Sequence, residues 1–258
     1  MNRIESYPKL TIDIVKWIKD YYFYNNIDTL VVGVSGGIDS AVVSTLCAET
    51  GLPTYVITMP LDSKKENTEL SNLHAKELDE KYENVEILDI DLSGVFHTLI
   101  STIGLQTSKE GYTYNRDLIT NEHSNANTKS RLRMVTLYQI AGSVGGIVVG
   151  TGNKVEDYGV GFYTKYGDGG VDIAPIADLY KTEVWELGKH LGVDSRIIEA
   201  TPTDGLWNDG RSDEDQLGTT YVALEEAMES GTGAAVKILE TFNDMNSHKM
   251  NPIPTFKL

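Results

Sequence analysis

The chain has 258 residues, 40% of them hydrophobic and 23% charged, enough to bury the core of one large α/β domain or two small ones. Its formal net charge of −16 repels polyphosphate backbones, which argues against general nucleic-acid binding. No apolar stretch is long enough to span a bilayer, and the single cysteine, Cys47, excludes an internal disulfide and any multi-cysteine metal site. The N-terminus lacks the features of a secretory signal, so we expect a cytoplasmic protein.

Taken in chain order, the sequence predicts helices alternating with strands. Strands are expected at residues 29–34, 53–59, 85–90 and 146–151, and helices at 8–24, 41–49, 64–81, from 93, 127–143, 181–191, 195–200, 213–228 and 234–243. Residues 106–126 are polar and lack periodicity, which predicts a long loop, and residues 152–170 predict a glycine-rich loop. The alternation indicates an α/β fold with a doubly wound, mostly parallel sheet and helices on both faces, in one domain over residues 1–258.

The segment Gly33 to Ser40, G-V-S-G-G-I-D-S, follows a predicted strand and opens a predicted helix. Gly36 and Gly37 let backbone N–H groups approach a ligand, and a helix N-terminus favours anions. Since no lysine follows the glycines, the charge of a bound phosphate must be neutralised by a metal and by distant side chains. Asp39 could hold Mg²⁺. The alternative is an ordinary strand–helix turn in which Asp39 and Ser40 only cap the helix.

The run Ser-Gly-Gly-x-Asp-Ser at 35–40 resembles the signature loop of the N-type ATP pyrophosphatases, which cleave ATP between its α- and β-phosphates. The order of residues from 150 to 182 strongly resembles NAD synthetase, and so do Asn127-x-x-x-Arg131-x-Arg133-Met134, Pro202-Thr203, the run D-E-x-Q-L-G at 213–218, and His248-Lys249. The matching parts of 150–182 are Gly150-Thr151, Glu156, Thr164-Lys165-Tyr166-Gly167-Asp168, Asp172, Pro175-Ile176 and Lys181-Thr182. This resemblance implies a Rossmann-like fold of the adenine nucleotide alpha hydrolase type.

The resemblance also implies a reaction. Deamido-NAD, ATP and ammonia would give NAD, AMP and pyrophosphate through an NAD-adenylate, the last step of NAD biosynthesis, with Mg²⁺ as cofactor and ATP as co-substrate. Family members are homodimers. Glutamine-dependent members carry a separate amidase domain, and because the synthetase part fills these 258 residues, we expect the ammonia-dependent form. A separate glutaminase partner is the open alternative.

The residue roles are carried over by the same resemblance. The ATP-binding residues would be Gly33, Val34, Ser35, Gly36, Gly37, Ile38, Asp39, Ser40, Thr151, Lys181 and Thr203. The residues that contact deamido-NAD would be Arg131, Lys165, Asp172, His248 and Lys249. Asp39 and Glu156 would bind Mg²⁺, and Asp39, Lys165 and Lys181 would be catalytic. The two lysines could supply the positive charge that the loop lacks.

Each of these residues has an ordinary alternative when taken alone. Glu156 could be surface charge, Lys181 the start of a helix, and His248-Lys249 a frayed tail. The glycines of residues 157–170 predict either a mobile surface loop or a lid that carries Lys165 over the adenylate. The competing functions are another ligase of the same superfamily with a different substrate, and a nucleotide sensor that has kept the loop.

Overall fold

The computed structural model describes residues 3–108, 111–203, 205 and 211–257. Its centre is a parallel sheet of four strands, β1 (Thr29–Val34), β2 (Thr54–Thr58), β3 (Val85–Asp89) and β6 (Gly146–Val148). Their order in the sheet is β3-β2-β1-β6. Just after β6, Val149 forms a parallel bridge with Ile173, which extends the sheet by one more segment. Ligands of such sheets bind at the carboxyl ends of the strands.

Helices connect and cover the strands. They are α1 (Tyr7–Tyr24), α2 (Ile38–Glu49), α3 (Lys65–Lys81), α4 (Ser93–Gly104), α5 (Glu122–Ser143), α6 (Lys181–Leu191), α7 (Ser195–Ile198), α8 (Asp213–Leu217), α9 (Tyr221–Ser230) and α10 (Val236–Met250). Strands β4 (Leu105–Ser108) and β5 (Gly111–Tyr114) form a separate antiparallel pair, and a 3₁₀ helix (Arg116–Leu118) follows them. A π-helix occupies Lys154–Val160. No helix in the described part of the chain is both long and apolar enough to span a membrane.

Side chains of β1 alternate between two buried cores. Leu30 and Val32 belong to the core formed with α1, α2 and α6, whereas Val31 belongs to the core formed with α4 and α5. Because both faces of the sheet are covered, the strand is apolar along almost its whole length, as buried parallel strands are. The predicted α/β class, with a mostly parallel sheet and helices on both faces, is confirmed.

A third buried cluster lies beside the sheet and joins the π-helix to the C-terminal helices. Val155 and Val160 of the π-helix pack with Leu217 of α8 and with Tyr221 and Leu224 of α9. Through this packing, a part of the chain far along the sequence determines where the residues after β6 lie.

Most predicted elements are present, and β1 and α6 have the predicted bounds. The predicted loop at 106–126 is wrong: it contains most of the β4–β5 pair, the 3₁₀ helix and the first turn of α5, which Asn121 caps by accepting a hydrogen bond from Ser124 N (2.8 Å). Strand β5 is exposed along its whole length, so it has no apolar alternation that could reveal it. The predicted helix 213–228 is two helices, because Gly218 ends α8 with a positive φ of 70°. The loop predicted at 152–170 begins with the π-helix.

Candidate active site

The loop between β1 and α2 is shaped by its two serines. Ser40 Oγ accepts a hydrogen bond from Ser35 N (3.1 Å) and donates to Gly37 O (3.0 Å), and Ser35 Oγ accepts from Gly37 N (3.3 Å). Gly36 has a φ of +89°, and a Cβ there would lie 2.6 Å from the carbonyl oxygen of Asn67 in α3. Only glycine fits that position, which leaves the backbone of the loop open at the N-terminus of α2.

Asp39 does not cap α2. Gly37 occupies the N-cap position and no side chain caps the helix there. Instead Asp39 Oδ2 lies 2.5 Å from Lys181 Nζ, and Asp39 Oδ1 accepts a hydrogen bond from Asn153 Nδ2 (3.0 Å). If residues 33–40 were only an ordinary strand–helix turn, these two contacts would have no role. Both contacts extend across the carboxyl edge of the sheet.

Glu156 completes the arrangement, and we call Asp39, Glu156 and Lys181 the carboxylate–lysine cluster. Lys181 Nζ lies 2.9 Å from Glu156 Oε1, and its side chain is only 3% exposed. Tyr221 donates its hydroxyl to the same oxygen of Glu156 (2.7 Å). Asn153 Oδ1 accepts from the backbone N–H groups of Val155 and Glu156 and so caps the π-helix. Asp39 and Glu156, which are more than a hundred positions apart in the chain, therefore meet around the ammonium group of Lys181.

Charges in the carboxylate–lysine cluster are strongly coupled. Burial alone would lower the pKa of Lys181, but the two adjacent carboxylates outweigh it and the pKa is raised. Burial opposes ionisation of Glu156, yet Lys181 and the Tyr221 hydroxyl bring its pKa below the usual range. Burial and the charge of Glu156 raise the pKa of Asp39, and burial raises that of the neighbouring Asp157 well above its usual range. Two carboxylates share one ammonium here, so a further cation would favour the ionised form of Asp39.

Asp39 and Glu156 fit a magnesium ion in donor type and in placement. Both present carboxylate oxygens, which Mg²⁺ prefers, and both already contact one shared cation, the Lys181 ammonium. Within the described ranges, no group of three or more His, Cys, Asp and Glu side chains could hold a metal ion. Phosphate oxygens or water would have to supply the remaining ligands, as is usual for Mg²⁺ in nucleotide sites.

A second cluster, which we call the cationic cluster, gathers Arg131, Lys165, His248 and Lys249. Arg131 Nε donates to Lys165 O (3.3 Å), Lys165 Nζ donates to His248 O (2.8 Å), and Lys249 Nζ donates to Tyr163 O (2.9 Å). The cluster ties the loop after the π-helix to α5 and α10. Arg131 lies within α5 rather than at its start, and His248 and Lys249 lie in a helix rather than a frayed tail.

The other predicted contacts lie apart from these two clusters. Asp172 Oδ2 accepts from Val148 N (2.8 Å) and Asp172 Oδ1 accepts from the Tyr138 hydroxyl (3.0 Å), so this carboxylate is bound at the edge of β6. Thr203 Oγ1 donates to Arg211 O (3.3 Å). Thr151 follows β6 and is half-buried. Among the described residues, no hydrogen bond joins these three side chains to the loop at 33–40.

Asn153 and Tyr221 were missed by the sequence prediction. Asn153 had a detectable signal, because an asparagine three residues before a glutamate is typical of a helix N-terminus. Tyr221 had no such sequence signal, because it occupies an apolar position of the amphipathic helix α9.

The sequence model of the NAD synthase family matches residues 10–253. The chain belongs to this family. It is 35% identical over 247 residues to the NH₃-dependent NAD⁺ synthetase of Carboxydothermus hydrogenoformans, with 95% of each chain covered. To the NH₃-dependent NAD⁺ synthetase of Methanosarcina acetivorans it is 34% identical, over 96% of this chain and 98% of that one.

Two solved structures place the NAD synthase chain in the same fold. The NMN synthetase of Francisella tularensis superposes with a TM-score of 0.85 at 30% identity, covering 99% of this chain and 100% of that one. The NH₃-dependent NAD synthetase of Campylobacter jejuni superposes with a TM-score of 0.75 at 25% identity, covering 98% and 100%. The predicted resemblance is confirmed, and the chain is an ATP-using ligase.

Proposed function

We propose that this NAD synthase family member amidates the nicotinate carboxylate of deamido-NAD with ammonia, converting ATP to AMP and pyrophosphate. One observation supports the proposal most: the carboxylate–lysine cluster lies beside the glycine loop, and the π-helix that carries Glu156 leads directly into the cationic cluster. About ten residues of chain therefore connect the carboxylate–lysine cluster, beside the proposed phosphate-binding loop, to the cationic cluster, which is suited to bind anions.

The chemistry follows from the inertness of a carboxylate. Its oxygens are poor leaving groups, so an oxygen of the substrate first attacks the α-phosphorus of ATP and the bond to pyrophosphate breaks. Ammonia then adds to the carbonyl carbon of the adenylate, the bond to the AMP oxygen breaks, and the added nitrogen loses a proton. The protein contributes positioning and electrostatic stabilisation, without a covalent enzyme intermediate.

Asp39 and Glu156 would hold Mg²⁺, and the ion would neutralise charge on the phosphates of ATP. Lys181 then has a second role. Phosphate oxygens compete with the two carboxylates for its ammonium, so it can stabilise the charge that develops on the departing pyrophosphate.

Residues 157–170 would act as a lid over the adenylate. Lys165, the predicted catalytic lysine of this segment, is held by His248 O, and Lys249 holds the same segment through Tyr163 O. Binding of substrate phosphates to these lysines would replace contacts with carbonyl oxygens and draw the segment onto the ligand. Hydrogen exchange in 157–170 should slow with ATP and deamido-NAD together, and unchanged exchange would exclude the lid.

Amidation of nicotinate mononucleotide to NMN is the second candidate function. The superposition on the NMN synthetase of Francisella tularensis, with a TM-score of 0.85, favours it. Both substrates carry the same nicotinate carboxylate, and only deamido-NAD carries an adenylate half. The carboxylate–lysine cluster therefore serves either substrate. Competition between the two acids in one reaction separates the candidates, because the ratio of products reports the ratio of kcat/KM values.

We further propose that the protein works as a homodimer in the cytoplasm and uses free ammonia. Helix α4 packs against β4, the 3₁₀ helix and α5. Large apolar side chains are exposed on these elements, among them Val95, Leu105, Leu118 and Val135. Exposed apolar side chains on these packed elements support a symmetric contact between two copies. Light scattering should give twice the monomer mass, and Val135→Glu should shift it to the monomer mass.

One assay tests the function. The protein is mixed with ATP, Mg²⁺, ammonium and deamido-NAD, and NAD⁺ and AMP are measured; a parallel reaction replaces ammonium with glutamine. We expect equal amounts of NAD⁺ and AMP with ammonium only. AMP formed with a different acid would indicate another ligase, and ATP binding without AMP would indicate a nucleotide sensor. NAD⁺ formed from glutamine without any added glutaminase would contradict the ammonia-dependent form.

A further inference from the structure

Tyr221 connects the C-terminal helices to the carboxylate–lysine cluster. It is the first residue of α9 and is only 1% exposed. Its hydroxyl donates to Glu156 Oε1 (2.7 Å) and lies 3.5 Å from Asp213 Oδ2. Its ring packs edge-on against Trp185, with centroids 5.9 Å apart, and its centroid lies 5.1 Å from Lys181 Nζ. One side chain therefore contacts two of the three members of the cluster.

Glu156 lies in a π-helix. The direction of its side chain therefore depends on tertiary contacts. Such helices are rare, and they are found frequently at functional sites. Val155 and Val160 anchor this one in the same buried cluster as Tyr221. Packing of α9 against the π-helix thus places the Tyr221 hydroxyl where the Glu156 carboxylate must meet it.

We propose that Tyr221 is a positioning residue for the metal-binding carboxylate. Lys181 and Tyr221 donate to the same oxygen of Glu156. When phosphate draws the lysine away, or a metal ion displaces it from the carboxylates, the tyrosine hydroxyl remains and keeps Glu156 directed toward Asp39. Hydrogen bonds to a buried carboxylate are among the stronger ones, and loss of such a supporting partner lowers metal affinity by about 10–100-fold in other proteins. The proposal rests on the proposed metal role of Asp39 and Glu156.

The test is Tyr221→Phe, which removes only the hydroxyl. Mn²⁺ serves as the probe, and its binding in the presence of α,β-methylene-ATP is measured by electron paramagnetic resonance. We expect the Kd for Mn²⁺ to rise about 10-fold or more. The Mg²⁺ concentration for half-maximal turnover should rise in parallel, whereas kcat at saturating Mg²⁺ should fall far less.

Tyr22→Phe is the matched control. It removes another buried tyrosine hydroxyl, which donates to Asp28 O (2.9 Å) from α1. It should lower Tm by a similar amount and leave the Kd for Mn²⁺ unchanged. In a Glu156→Gln background, Tyr221→Phe should have no further effect on that Kd, because the hydroxyl acts through the carboxylate.

Three results would overturn the proposal. Equal Mn²⁺ affinity in Tyr221→Phe and the wild type would exclude a positioning role while leaving the metal assignment intact. The same loss in Tyr22→Phe would reduce the effect to general destabilisation. A wild-type protein that bound no Mn²⁺ with the ATP analogue would remove the metal assignment itself, and the inference with it.

Discussion

Replacing Lys181 with methionine should destabilise the fold strongly and make its stability depend on Mg²⁺. The Lys181 side chain is 3% exposed, and its ammonium lies 2.5 Å from Asp39 Oδ2 and 2.9 Å from Glu156 Oε1. Without it, two carboxylates would face each other with no cation between them. Removing one partner of a buried ion pair lowers the free energy of unfolding by about 3–5 kcal/mol. At about 2–4 °C per kcal/mol for a chain near this size, Tm should fall by about 6–20 °C.

Mg²⁺ should restore part of that loss in Lys181→Met, because it can take the place of the ammonium. At a free Mg²⁺ concentration one hundred times Kd, binding adds about 2.7 kcal/mol to the free energy of unfolding. The wild type without ATP should respond less, since Lys181 already neutralises the carboxylates. Thermal unfolding with and without Mg²⁺ measures both effects, and turnover of Lys181→Met should be lost in either condition.

Lys154→Met is the matched control for this experiment. Lys154 Nζ lies 2.6 Å from Asp178 Oδ1, but the Asp178 side chain is 88% exposed. An exposed pair of this kind contributes about 0–1 kcal/mol, so Tm should change by no more than a few degrees and should not depend on Mg²⁺. If Lys181→Met unfolded at the same temperature as Lys154→Met, or if Mg²⁺ did not stabilise it, our account of the cluster would be refuted.

Three further predictions concern single residues. Asp39→Ala should keep the fold, as judged by circular dichroism, and lower kcat by about 10²-fold or more because one of the two carboxylates proposed to bind the metal is gone; an unchanged kcat would show that Asp39 is not a metal ligand. Cys47 should not react with a thiol reagent in the native protein and should react after unfolding, because burial raises its thiol pKa to about 12; fast native labelling would contradict its place in the core. Burial lowers the pKa of His74 to about 4, so the folded state favours the neutral ring. The resulting stability is complete above the unfolded pKa of about 6.5 and is lost as pH falls toward 4, up to about 3 kcal/mol, and His74→Gln should remove this part of the pH dependence in denaturant titrations.

Local patterns were sufficient for the sheet and its helices. The β-branched run of β1 and the helical spacing of α1 and α6 follow from side chains that are neighbours in the chain, and their predicted positions agree with the structure. The exposed β4–β5 pair had no such pattern, and the π-helix depends on Val155 and Val160 packing against α8 and α9. The prediction therefore missed one local element that has no apolar pattern and one element whose conformation comes from packing against distant helices.

The sequence by itself determined the position of the glycine loop at 33–40, the family and most of the residues that approach one another in the site. It could do so because residue type and order along the chain carry that information. Only the tertiary structure decided how the residues are paired: Lys181 between Asp39 and Glu156, and Tyr221 on the same oxygen of Glu156. These partners are brought together by the crossovers of the parallel sheet and by the packing of α9. Contacts of that kind depend on three-dimensional distance, which a linear pattern does not encode.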